Sequence, residues 1–221
     1  MSSVKSHRVA VDAVPASAEG KEARVMDTAL QLFLRHGYRK VSMSDIAQAA
    51  QMSRPSLYAA FPNKEAIFAA QVARQRDACV AETAQRVRDT QDLHTQLRHL
   101  FDIWVLEPMA SVIDSDNGLD LVANCGVYAP AALDALYQQM EDTLVRLLGQ
   151  HVRADSAMSA ADLAYILRLA TTSLKASADN EAVLRRLIAG LITMALSTVQ
   201  AGTGRAPANN TQAKKSPARG R

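Results

Sequence analysis

The sequence predicts an all-α fold, with a three-helix N-terminal domain followed by a larger helical domain. Three observations predict the helical class. Apolar residues recur at helical spacing between the two ends of the 221-residue chain, with no sustained period-two alternation. Aromatic residues make up only 5% while Ala and Leu are abundant, a balance that favours helices over sheet. Gly, Pro, Asn, Asp and Ser stand where helix starts and stops need them.

Residues 1–20 lack periodicity and read as a flexible arm. Met26, Ala29, Leu30 and Phe33 make a stripe at i, i+3, i+4 and i+7, giving a first helix from about Glu22 to His36 that Gly37 stops. Ser42 with Asp45 fits a capping-box variant that opens a short helix to about Ala50. Ser53 caps a third short helix that tolerates Pro55 in its first turn. Asn63 caps a long fourth helix over about 64–88. Stretches near 93–107 and 119–126 follow, separated by a loop containing Pro108 and the run from Asp114 to Gly118. Helices over about 130–149, 160–178 and 181–201 complete the body. Residues 202–221 hold no large apolar side chain and read as a disordered basic tail.

Charge divides the chain. Residues 21–76 carry nine basic and four acidic side chains, a net +5; residues 77–201 net −7 and residues 202–221 net +5. A basic front on an acidic body implies a polyanion partner at one end. Cys79 and Cys125 form no C-x-x-C pair, and the five His are scattered, so neither a disulfide framework nor a metal site is expected. No cofactor is called for. No nucleophile elbow, phosphate loop, HExxH or paired-carboxylate motif stands in the chain, so no enzyme is expected. The longest apolar run, Leu187 to Leu196, is too short to span a bilayer, and the N-terminus has no signal-type stretch. A cytoplasmic protein without a membrane partner is the expectation.

Residues 43–61 hold two very short helices joined by a tight turn. Helices this short survive only by packing on a third, and such a trio describes a helix-turn-helix module whose second helix enters the DNA major groove.

These residues resemble the DNA-binding domain of the tetracycline-repressor (TetR) family of bacterial transcription regulators. The resemblance rests on A-L-x-L-F-x-x-x-G-Y from Ala29 to Tyr38 and S-x-x-D-I-A from Ser42 to Ala47. It continues through S-R-P-S-L-Y from Ser53 to Tyr58 and F-P-N-K-E-A-I from Phe61 to Ile67. It implies domains at 21–67 and 68–201, a homodimer, a pseudo-palindromic DNA operator and often a small-molecule effector. By the same resemblance Arg54 and Ser56 touch bases, Met43 and Ser44 lie near bases or backbone, and Tyr58 and Lys64 contact phosphates. Lys21, Arg39 and Ser53 complete the expected DNA-binding set. Ala59 and Ala60 depart from the family, which often carries an aromatic residue or His there.

In the body, Leu184, Leu187, Ile188, Leu191, Ile192 and Ala195 lie on a wide apolar face that reads as the dimer interface. His99, Trp104, Met109, Cys125, Tyr128, Tyr137 and Met140 mix apolar wall with polar handles and are the candidates for a ligand pocket. Cys125 reads as a small hydrophobe rather than a redox switch. The functional expectation is a homodimeric repressor released from its operator by an effector. The alternative is a constitutive DNA-binding or chromosome-organising protein of the same fold.

Overall fold

A computed structural model describes residues 18–178 and 180–201. The expectations for the tail at 202–221, and for the arm up to residue 17, lie outside the described residues. The helices are α1 (Ala18–His36), α2 (Met43–Ala49), α3 (Arg54–Ala60), α4 (Lys64–Arg88), α5 (Leu93–Phe101), α6 (Glu107–Ile113), α7 (Gly118–Ala123), α8 (Cys125–Tyr128), α9 (Pro130–Gly149), α10 (Ala160–Ser177) and α11 (Glu181–Ala201). There is no strand among the described residues. Helix α1 starts at Ala18, inside the stretch expected to be an arm.

The caps explain most boundaries. Ser42 and Asp45 form a reciprocal capping box at α2. Ser53 accepts from the Ser56 amide at α3, Asp92 from Thr95 at α5, and Ser159 from Asp162 at α10. Asn63 Oδ1 accepts from the Ala66 amide at 2.8 Å and opens α4.

Pro108 does not end a helix as the sequence suggested. Residues Asp102–Leu106 form a π-helical turn between α5 and α6, so the chain stays helical from Leu93 to Ile113. Proline has no N–H and crowds the carbonyl four residues back. The wider turn, in which the Glu107 amide donates to Asp102 O, accommodates this. Asn124 breaks the other expected stretch into α7 and α8.

The chain divides into two compact units, one containing the residues up to Gln75 with Asp114–Ala135, the other containing Arg76–Ile113 with the residues from Leu136 onward. The division thus falls after Gln75, within α4, and a segment distant in sequence joins the N-terminal helices. The core of the first unit includes Val25, Ala29, Phe33, Ile46, Leu57, Ile67 and Phe68. Helix α7 packs on α1.

In the second unit, Leu97, Leu100, Phe101, Ile103, Trp104, Met140, Leu144, Leu148 and Leu167 are buried. Arg168 Nε meets Glu141 Oε2 at 2.7 Å and ties α10 to α9. Helix α11 is long and apolar enough to span a bilayer by length and composition, which counting one unbroken run had missed. It packs against α5, α6 and α10, and that packing accounts for its buried face.

Burial within the chain divides the expected dimer face. Leu184, Ile188, Leu191, Ile192 and Ala195 are each 8% exposed or less, packed within their own chain, so only Leu187 of that set presents itself outward. On α10 and α11 the large apolar side chains left exposed are Tyr165, Ile166, Leu169, Leu187 and Met194.

Candidate nucleic-acid interface

Helix α3 is held by little and shows much. Leu57 is its one buried residue, while Arg54, Pro55, Ser56, Tyr58, Ala59 and Ala60 are exposed. Seven residues cannot hold a helix alone in water. Three devices hold this one: the Ser53 cap, Leu57 in the core, and the Phe61 amide donating to Leu57 O at 2.8 Å.

The turn before it is a Schellman motif. The Met52 amide donates to Ala47 O at 2.9 Å and the Gln51 amide to Gln48 O at 3.1 Å, closing the end of α2. Gln51 stands at φ 53°, the left-handed position that usually belongs to Gly or Asn. The turn joins α2 to α3, which pack on each other, and leaves every α3 residue but Leu57 exposed.

On that face the structure brings two expected residues together. The Arg54 guanidinium donates to Ser44 Oγ, linking the start of α3 to the first turn of α2. Ser53 Oγ and Ser56 Oγ share a hydrogen bond at 2.7 Å. Asp45 lies close to the Arg54 charge, but the Ser42 hydroxyl and amide chiefly hold its carboxyl below the usual carboxylate range, at 2.7 and 2.8 Å. Tyr58 stands 52% exposed rather than in the core. Met43 is half-buried; Arg39 and Lys21 are exposed.

Lys64 points elsewhere. Its ammonium donates to Tyr38 O at 2.9 Å, Val41 O at 3.1 Å and Arg39 O at 3.4 Å, and lies 4.5 Å from the Tyr38 ring centroid. An ammonium has three donors, and here all three serve the turn between α1 and α2. In the free protein the Lys64 side chain is thus a clamp on backbone.

The clamp belongs to a network that sequence reasoning missed. Tyr38 donates its hydroxyl to Glu65 Oε1 at 3.0 Å and stacks on Tyr128 with ring centroids 3.8 Å apart. Burial foremost, then the Glu65 bond and charge, pushes the Tyr38 phenol well above its ordinary value. Asn117 Nδ2 donates to Leu34 O and Arg35 O, both at 3.1 Å, covering carbonyls at the end of α1. Gly37 sits beside it at φ +85°, where an added Cβ would come within 3.1 Å of Asn117 Oδ1. The signal in the sequence was slight: a Gly-Tyr stop after α1 and a polar Asn at the end of the Asp-containing turn before α7.

The seven candidate pocket residues do not share one unit. Cys125, half-buried, and Tyr128, buried against Tyr38, belong to the unit that carries α3. Trp104, Met109 and Met140 are buried in the other unit, where the Trp104 indole donates to Thr83 Oγ1 at 2.8 Å. His99 and Tyr137 are half-buried there, with Lys175 Nζ 4.9 Å from the Tyr137 ring.

Comparison with known proteins agrees with this geometry. Residues 25–70 match the family model for "Bacterial regulatory proteins, tetR family". The HTH-type transcriptional repressor ComR of Escherichia coli (strain K12) is 29% identical over 132 residues, covering 57% of this chain and 62% of its own. The HTH-type transcriptional regulator EthR of Mycolicibacterium smegmatis is 36% identical over 52 residues, 24% of either chain. The matched stretches thus span less than two thirds of these curated relatives. Among solved structures, the TetR-family repressor FadR of Thermus thermophilus, in complex with lauroyl-CoA, superposes with a TM-score of 0.57 at 19% identity. That match covers 90% of this chain and 99% of FadR. A transcriptional regulator from Rhodococcus sp. Rha1 gives 0.63 at 16% identity, over 80% and 96%. At these identities the likeness is one of fold.

Proposed function

We propose that this chain, whose residues 25–70 match the model of the tetR family of bacterial regulatory proteins, acts as a homodimeric repressor that a small molecule releases from operator DNA. The observation that carries the reading is α3, short, capped and exposed on every residue but Leu57, with Arg54 at its start. An α-helix about 10–12 Å across fits the major groove. Arg54 is the base reader, since a guanidinium can give guanine a bidentate pair of bonds that no other base accepts. Ser44, bonded to Arg54 in the free protein, orients that guanidinium. Ser56 and Tyr58 flank it; Lys21, Arg39, Met43 and Ser53 supply backbone and edge contacts. Lys64 acts by holding the turn that carries Arg39.

The dimer forms on the exposed stripes of α10 and α11, Tyr165, Ile166 and Leu169 with Leu187 and Met194. A two-fold pairing there presents two copies of α3 to a pseudo-palindromic site. The ComR relative is named a repressor and FadR was solved with lauroyl-CoA, which supports repression and an effector here. Trp104, Met109 and Met140 in the packed core favour one competing reading, a constitutive DNA-binding regulator of the same fold.

Arg54→Ala tests the reader. Binding to the preferred duplex should weaken by about 1–3 kcal/mol with preference lost at one position of each half-site. An unchanged sequence preference would remove Arg54 from the role and α3 with it.

A further inference from the structure

Among the described residues the chain buries four polar side chains: Thr83, Gln96, Thr143 and Thr171. Three of them, all but Thr171, line a single cleft in the second unit, a cavity of about 340 Å³. Burying polar groups costs free energy unless partners compensate; Thr83 and Thr143 have theirs in the Trp104 indole and Gln139 O, and Gln96 Oε1 has none. We propose that this cleft binds a small hydroxylated organic acid.

Two helix faces form the cleft. Val80, Thr83, Ala84 and Val87 repeat at i, i+3, i+4 and i+7 on α4, and Thr143, Arg146 and Leu147 on α9 are followed by Gln150 just past its end. Gln96 of α5 lies between them in the lining. Its Nε2 donates to Thr90 O at 2.9 Å, while its Oε1 is buried with no hydrogen-bond partner. An orphaned acceptor in the wall asks for a donor, which a hydroxyl supplies.

The charge is set by arginine. Arg88 and Arg146 both line the cleft, and neither has a carboxylate within ion-pair distance among the described residues. Arg146 spends one donor on Thr143 Oγ1 at 3.0 Å and keeps the rest. In a body whose residues 77–201 net −7, two arginines left without a carboxylate select an anionic group. Val80, Ala84, Val87 and Leu147 supply an apolar bed between the charges and the amide. The volume lies at the small end of the range for organic ligands, about 300–1,000 Å³, which suits a single ring or short chain. The site extends the effector reading above by naming a ligand class; its binding is read without DNA and does not depend on that reading.

Trp104, the chain's only tryptophan, donates its indole N–H to Thr83 Oγ1 in the cleft wall, so its emission reports on occupancy. The full chain is titrated with the three hydroxybenzoate isomers, benzoate and phenol, by emission and in parallel by calorimetry. At least one hydroxybenzoate should saturate at one per chain. Benzoate, lacking the donor, and phenol, lacking the charge, should each bind more weakly. Arg88→Gln and Arg146→Gln, both at exposed positions, should each weaken the acid about tenfold, as for one charge-assisted hydrogen bond, while leaving phenol unchanged. No saturation with any isomer in either experiment, or an acid affinity indifferent to both substitutions, overturns the site. Failure here leaves DNA binding by α3 standing. Saturation that does not alter operator affinity confirms the site and removes its ligand as the effector.

Discussion

Replacing Lys64 by Met separates two roles for one side chain. The substitution keeps the stem and deletes the ammonium that reaches Tyr38 O, Val41 O and Arg39 O at 2.9, 3.1 and 3.4 Å. A hydrogen bond to a charged group contributes about 1.5–3 kcal/mol net, and an ion over an aromatic ring about 0.5–1 kcal/mol at a solvated site. Lys64 is half-exposed, so water replaces part of what is lost. The expected cost is about 2–3 kcal/mol, read by urea unfolding followed by circular dichroism. The same variant is then titrated onto duplex DNA across a salt series. A lysine on a phosphate lowers the slope of log K against log salt by about 1 when removed, because one counterion fewer is released. A lysine that holds a turn does not. Lys64→Met should therefore lose stability and affinity at unchanged slope. A slope lower by about 1, with stability within about 0.5 kcal/mol of the parent, would show that the clamp opens onto DNA and refute the positioning role.

Other consequences are simpler to state. Gln51→Gly relieves a left-handed non-glycine residue in the turn before α3 and should stabilise by about 0.5–1 kcal/mol, read as a higher urea midpoint; a lower midpoint would mean that the Gln51 side chain matters more than its backbone. Asp45 titrates below the usual carboxylate range because Ser42 donates to it. Its stabilising effect is complete above the unfolded value of about 3.9 and is lost as pH falls through the depressed folded value. The difference in urea midpoint between the parent and Asp45→Asn should therefore shrink below about pH 4, and a difference constant with pH would remove the capping box as its source. Leu187→Asp with Met194→Asp puts charge on exposed α11 positions and should give monomers by sedimentation, whereas Ile188→Asp, at a site 1% exposed, should unfold the chain. Dimers persisting in the double variant would move the interface elsewhere.

The sequence disclosed helices better than it disclosed surroundings. The bounds of α4 and α9 were legible because Asn63, Pro130 and Gly149 act through local backbone chemistry. Pro108 misled because a π turn, a rarer response than a break, absorbed it. On α11 six residues of one wide apolar face read as interface, and Leu184, Ile188 and Ala195 among them are buried in their own chain. Periodicity finds the apolar stripe without saying which part faces which neighbour. The α3 residues were readable from family motifs packed into one short segment. The Tyr38–Tyr128 stack and the Thr83, Gln96 and Thr143 wall were not, since each joins residues remote in sequence and no local pattern links them.

The central claim is that α3, doubled by a two-fold axis, reads DNA. Selection of bound sequences from random duplexes by the full chain, with the stoichiometry of the bound complex recorded, tests it directly. The account predicts a two-fold symmetric consensus with two chains per minimal site. Binding with no consensus, or no binding at low salt, would contradict it.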